Sequence, residues 1–234
     1  MSAEFKPASK RRKIVVLSFL LGIVPVGLLF FKLFDNHYTT LPYYGQHEVN
    51  APGDTTFFQV PPFSFTDQDG HTITDETVNG KILVVDFFFT SCKSICPVMT
   101  KRLSGLQVNL PLHDKAYKDV LFLSHTVDPE HDTPQVLKEY ARQNQADTAR
   151  WKFLTGDAST IYRQGNLGYL LSALVDSASA EQFVHSPNFV LVDKRRHIRG
   201  VYDGTTSQGV NDLVQDIKLL IGEERRRDRL SSQP

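Results

Sequence analysis

Apolar and polar positions along the chain repeat with two different periods, and each change of period marks a new element. Residues 63–65 (FSF) and 72–74 (TIT) alternate and flank Asp67-Gln68-Asp69-Gly70, the pattern of a hairpin. Residues 81–89 (KILVVDFFF) form an almost unbroken apolar run rich in β-branched and aromatic side chains, which suits a strand buried on both faces. The spacing after Pro97 predicts a helix to about Leu106. Residues 120–127 (VLFLSHTV) predict a second strand, and 133–144 a helix that opens on Thr-Pro and continues through Val136, Leu137, Tyr140 and Ala141. A short strand at 151–154, a helix at 158–170, a strand pair at 188–192 and 198–202, and a last helix marked by Leu213, Val214, Ile217, Leu220 and Ile221 complete the pattern. No internal repeat is visible.

The longest apolar run lies ahead of all these elements. Residues 14–31 (IVVLSFLLGIVPVGLLFF) are eighteen positions without a charge, and as a helix they reach roughly 27 Å, close to the hydrocarbon thickness of a bilayer. Pro25 is tolerable in a membrane helix, whose neighbours satisfy the freed carbonyl. The run ends in Leu-Leu-Phe-Phe-Lys-Leu-Phe, which lacks the small residues of a signal-peptide cleavage site, so an uncleaved anchor is expected over 14–34. Charge gives its direction. The chain as a whole is neutral, with 26 Lys+Arg against 26 Asp+Glu, yet residues 1–13 set five cations against Glu4, leaving −4 for the remainder. The basic segment 1–13 stays cytoplasmic by the positive-inside rule, and the rest crosses to the extracytoplasmic side of the inner membrane. A tether is expected over 35–54, a single domain over 55–223 and a solvated, frayed polar tail over 224–234. Composition is ordinary for a globular chain, 41% hydrophobic, and zero net charge argues against a nucleic-acid binder.

Strands alternating with helices imply βαβ units, and the closing β-β-α adds antiparallel strands to a parallel sheet. This α/β order is thioredoxin-like: a mixed central sheet flanked by helices, with an N-terminal β-hairpin. Its chemistry concentrates where the first buried strand ends, in Phe89-Thr90-Ser91-Cys92-Lys93-Ser94-Ile95-Cys96-Pro97, which holds both cysteines of the chain. At helical spacing i and i+4 share a face, so the two sulfurs can meet one bound atom or each other. A helix start favours the thiolate that metal binding and disulfide exchange both need. A purely structural bridge closing so short a loop would stabilise the domain little.

Cys-x-x-x-Cys supplies two soft ligands and needs a third. Two thiolates and an imidazole suit copper, because thiolates favour Cu(I) and imidazole serves both Cu(I) and Cu(II). Of the eight histidines, His37, His47, His71, His113 and His197 read as solvated polar residues, His125 lies near the carboxyl end of its strand, and His131 falls in an acidic loop. In a thioredoxin-like fold the loop entering the strand at 188 lies against the cysteine turn, which makes His185 the best third ligand. Pro187, directly before that strand, makes Ser186-Pro187 a candidate cis bond.

These residues together carry a family resemblance. Residues 84–97 with Thr90 and Cys-x-x-x-Cys-Pro, then Ser124-His125-Thr126-Val127-Asp128-Pro129-Glu130-His131-Asp132-Thr133-Pro134, then His185 and 188–193 (NFVLVD), resemble the Sco/SenC copper chaperones over roughly residues 55–222, as does the single N-terminal anchor. The resemblance implies a thioredoxin-like fold, copper held by Cys92, Cys96 and His185, and a role in assembling the binuclear copper centre of cytochrome c oxidase, whose copper-receiving subunit is the implied partner. It also implies a supporting acidic loop at Asp128 and Asp132, although a turn with capping of the following helix by Asp132 or Thr133 is the commoner explanation of such residues. The family often has proline and then an acid after the first cysteine, where this chain has Lys93 and Ser94; a lysine beside Cys92 favours its thiolate. A different class of function uses Cys92 and Cys96 alone, a membrane-tethered thiol-disulfide reductase that keeps an oxidase subunit's cysteines reduced. A peroxiredoxin-type enzyme fits poorly, since the Thr/Ser-rich proline motif around one peroxidatic cysteine is missing.

Overall fold

The computed structural model describes residues 40–51, 54–110, 114–171 and 186–232. The expected anchor at 14–34, the basic segment before it and His185 lie outside the described residues. Among those described, no helix is long and apolar enough to cross a membrane.

A seven-stranded sheet forms the centre. β3 (Ser64–Asp67) and β4 (Thr72–Thr74) make the expected hairpin; β5 (Ile82–Phe88), β6 (Val120–Thr126) and β7 (Trp151–Thr155) are the parallel strands, and β8 (Asn188–Val192) and β9 (Ile198–Asp203) the closing pair. Their spatial order is β4-β3-β7-β6-β5-β8-β9, with β5 parallel to β6, β6 parallel to β7, and β3, β8 and β9 antiparallel to their neighbours. β5 is central and buried along its whole length, as its continuous apolar run requires.

Two cores follow from strand alternation. On one face Ile82, Val84 and Phe88 of β5 pack with Phe122, Trp151 and Phe153 beneath three helices, α1 (Cys96–Asn109), α2 (Pro134–Gln143) and α4 (Ser207–Ser231), the last contributing Leu213, Ile217, Leu220 and Ile221. On the other face Leu83, Val85 and Phe87 pack with Phe63, Phe65, Leu123 and Ile161 of α3 (Ala158–Arg163). The helix expected over 158–170 stops at Arg163 and loosens into a π-turn, Gln164–Gly168. Gly165 and Gly168 lower helix propensity there, and Cβ atoms at them would meet Phe87 and Gln164.

Both edges of the expected domain shift. Part of the stretch read as a tether is folded: β1 (His47–Ala51) pairs with β2 (Asp54–Phe57), and Leu41 is buried. The reason is a buried ion cluster. Arg199 pairs with Asp193 and Glu223 and donates to the carbonyls of Leu41 and Pro42, while Glu223 accepts the Leu41 N–H at 2.6 Å. Tyr43 lies under the Arg199 guanidinium and stacks on Phe57. The tail is likewise helical through Ser231 instead of frayed from residue 224, with Arg225 paired to Asp114 and Arg227 to Glu224.

Candidate metal centre

β5 delivers the chain into the turn 89–95, where the Cys92 N–H donates to the Phe89 carbonyl at 3.2 Å. Cys96 is the first residue of α1, and Pro97 follows where a missing N–H costs nothing. Cys92 itself stands outside the helix, so the turn, and not helical i,i+4 geometry, brings the two cysteines together. Ile95 has no side chain able to cap α1. The Cys92 sulfur lies beside this helix start, 3.5 Å from the Ser94 hydroxyl, and the backbone N–H groups of Ser94 and Cys96 favour its thiolate.

Both cysteines are free and buried, Cys92 at 7% exposure and Cys96 at 1%. Their thiols are unequal. Burial pushes Cys92 up, but the Ser94 hydroxyl, the Cys96 thiol and the two turn N–H groups together outweigh it and bring Cys92 down to about 7. Cys96 is pushed up to about 12 by burial and by donating to Cys92, with the charges of Cys92 and Asp86 adding to the rise. Of the two, Cys92 is the sulfur that ionises more readily, and Cys96 the one that keeps its proton.

Beneath this pair lies a residue that sequence reasoning passed over. Asp86 is two residues from both Val84 and Phe88 on β5 and so shares their face, the cysteine side of the sheet, 3% exposed. Burial lifts its carboxyl to about 7, against the Ser124 hydroxyl, which donates to it at 2.5 Å and in turn accepts from Trp151 Nε1 at 2.8 Å. A single acid inside KILVVDFFF, a run predicted to be buried on both faces, was the available signal.

Asp132 is fully buried and holds the turn from behind. Its carboxylate accepts from the Thr90 N–H at 3.0 Å, the Thr90 hydroxyl and the Thr126 hydroxyl at 2.5 Å each, and pairs with His131 Nδ1 at 2.8 Å. The hydrogen bond to Asp132 raises the exposed His131 above its ordinary pKa. Capping of α2 falls to Thr133, whose hydroxyl accepts the Val136 N–H. Asp132 thus supports the strand end leading to Cys92, whereas Asp128 contributes its backbone, donating to Thr126 Oγ1 and accepting the Asp132 N–H. His125, placed near the strand's carboxyl end, sits on the opposite sheet face from the cysteines, stacked on Phe87 and edge-on to Phe65. Both its ring nitrogens lack a partner among the described residues, and burial lowers its pKa to about 3. The Ser186-Pro187 bond, a candidate for cis, is trans, since no described peptide bond is cis.

Asp67, Asp69 and His71 come within 4.8 Å of one another in the β3-β4 turn, but Asp67 already accepts the N–H groups of Asp69 and His71 and pairs with Lys152. They are a hairpin turn with its hydrogen bonds filled.

The profile of the SCO1/SenC family matches residues 53–222, which include the whole cysteine turn and the Asp132 loop. The chain belongs to this family. It is 31% identical over 165 residues to the SCO1 protein homolog of Bacillus subtilis, covering 70% of this chain and 84% of that one. BsSco, a solved member of the Sco family of cytochrome c oxidase assembly proteins in which a disulfide switch was identified, superposes with a TM-score of 0.60 at 32% identity, covering 70% of this chain and 94% of the other. Yeast Sco1 with copper bound superposes with a TM-score of 0.52 at 26% identity, covering 68% and 92%. The thioredoxin-like reading of the fold therefore holds for this Sco protein, with its mixed sheet and flanking helices.

Proposed function

We propose that this Sco protein binds copper through Cys92, Cys96 and His185 and passes it to the copper-receiving subunit of cytochrome c oxidase, working from an inner-membrane anchor at 14–34 with its domain extracytoplasmic. The observation that carries the reading is the pair of free, unequal thiols in one turn at the start of α1. Copper here is cargo. Cys92 offers a thiolate at neutral pH, and Cys96 gives up its proton as the metal arrives, so loading releases protons and is pH-dependent. Two thiolates with an imidazole suit Cu(I) and also accept Cu(II). Support comes from relatives described as oxidase assembly proteins and from the copper-bound yeast protein.

Unequal thiols also suit the second reading, thiol-disulfide exchange. There the Cys92 thiolate attacks a partner disulfide and expels one partner thiolate; Cys96, on losing its proton, attacks the Cys92 sulfur and releases the other. The partner ends as a dithiol, and Cys92 and Cys96 as a disulfide. His185→Ala separates the two. Copper binding measured by competition with a chromogenic Cu(I) chelator is expected to fall at least 100-fold in this variant while exchange with a model disulfide continues. Unchanged copper affinity would refute His185 as a ligand.

A further inference from the structure

The outward face of α1 runs directly from the cysteine turn and combines three features. Val98, at 43% exposure, and Val108, at 75%, stand on it, with Pro97 and Lys101 also exposed. At 100° per residue, positions 98, 101, 105 and 108 share one stripe about 15 Å long. Gly105 in its middle has no atom within 4 Å of where a Cβ would stand, so another backbone can approach closely there. Finally, α1 contains Lys101 and Arg102 but no Asp or Glu.

Among the described residues no acid pairs with these charges. Arg102 is held by the Thr205 carbonyl and the Ser207 hydroxyl, both uncharged, and neither Lys93 nor Lys101 makes an ion pair among the described residues. A groove of about 570 Å³ lined by Pro97, Val98, Lys101 and Arg102 opens between these groups. On a chain that carries −4 beyond residue 13, a basic rim around exposed valines is a local reversal of sign. The positive end of the α1 dipole adds to it.

We infer that this face is the docking surface for the protein that exchanges copper or thiols with Cys92, and that the partner presents an acidic rim around an apolar centre. The inference rests on the proposed function for the identity of the partner, but the charge and apolar pattern stand independently. Ligand exchange needs a partner atom at the Cys92 sulfur, and the stripe begins two residues beyond Cys96. A lipid headgroup would satisfy the cations but has no use for the adjoining thiols. Rim cations of this kind steer encounter and act mainly on the association rate, while the valines hold the complex once formed.

The test uses the full chain in detergent, reduced and metal-free, with the copper-receiving subunit of cytochrome c oxidase as the probe. Affinity is read by surface plasmon resonance at low and high salt, and copper loading is measured separately. Lys101→Glu is expected to weaken binding about 10-fold at low salt, chiefly through the association rate, and to flatten the salt dependence. Val98→Asp is expected to weaken it about 10-fold at any salt. Copper loading stays within 2-fold in both, and Lys218→Glu, exposed midway along α4, changes nothing. Binding by Lys101→Glu and Val98→Asp equal to the unsubstituted chain overturns the proposal, including when those variants instead lose affinity for phosphatidylglycerol vesicles. Because binding is read without metal, failure of the unsubstituted chain to load copper counts against the copper reading and leaves the docking result standing.

Discussion

Asp86→Asn tests the electrostatics under the cysteine turn most directly. The carboxyl is buried, lifted to about 7 in the fold from 3.8 when unfolded, and accepts a hydrogen bond from the Ser124 hydroxyl. A group whose pKa is raised by folding leaves stability intact below its unfolded value and removes it as pH climbs toward the folded one. The window is therefore about pH 4 to pH 7. A shift of about three units at ~1.4 kcal/mol each gives ~4 kcal/mol of destabilisation at pH 7.5 and only ~1 kcal/mol at pH 4.5. Asn keeps an acceptor for Ser124 and never ionises. Its amide N–H₂ has its own burial cost, but that cost is the same at every pH, so the difference between the two conditions isolates the charge.

The single tryptophan supplies the assay, because Trp151 is buried and donates to Ser124, one bond from Asp86. Urea unfolding of the reduced, metal-free chain followed by its fluorescence is expected to show Asp86→Asn stabilised by ~3 kcal/mol more at pH 7.5 than at pH 4.5. An equal effect at both, or a larger one in acid, would show that Asp86 is not forced to ionise in a buried site.

Three further outcomes follow from the same contacts. Asp132→Ala strands the Thr90 N–H and the Thr126 hydroxyl and is expected to cost about 3 kcal/mol and to lower copper affinity at least 10-fold, whereas Asp128→Ala, whose contributions are backbone, changes each by less than about 1 kcal/mol; urea unfolding and chelator competition measure both. Iodoacetamide is expected to modify Cys92 before Cys96, with a rate that rises through about pH 7, and peptide mapping that finds Cys96 labelled first would reverse the thiol assignment. His125→Phe replaces an imidazole without hydrogen bonds among Phe65, Phe87 and Tyr169 and is expected to stabilise the chain by about 1–2 kcal/mol at pH 7 with copper binding unchanged. The imidazole stays neutral in the fold down to about pH 3 but protonates at about 6.5 when unfolded, so the advantage of Phe grows as pH falls below 6.5; a constant difference between pH 7 and pH 5 would contradict the burial.

Local signals carried much of this protein. The continuous apolar run of β5, the Thr-Pro start of α2 and the alternation of β3 and β4 each depend on neighbours a few residues away, and all three elements form where the pattern places them. Cys92, Cys96 and the strand-to-helix turn were legible for the same reason. Contacts across long sequence distances were not. Leu41 is held by Glu223, Thr90 by Asp132, and Trp151 reaches Asp86 through Ser124, and each pairing depends on which strands lie side by side. Strand register also decided the histidines. His125 stands opposite Phe87, one residue out of phase with Asp86, and period-two alternation puts it on the face away from the cysteines. The amino-acid sequence by itself determined most of the elements and the closeness of the two cysteines, because both are set by short-range periodicity and spacing. Only the tertiary structure decided which thiol ionises first, which acids lie buried around the turn and where the domain ends, because burial and partner charges arise when distant segments pack.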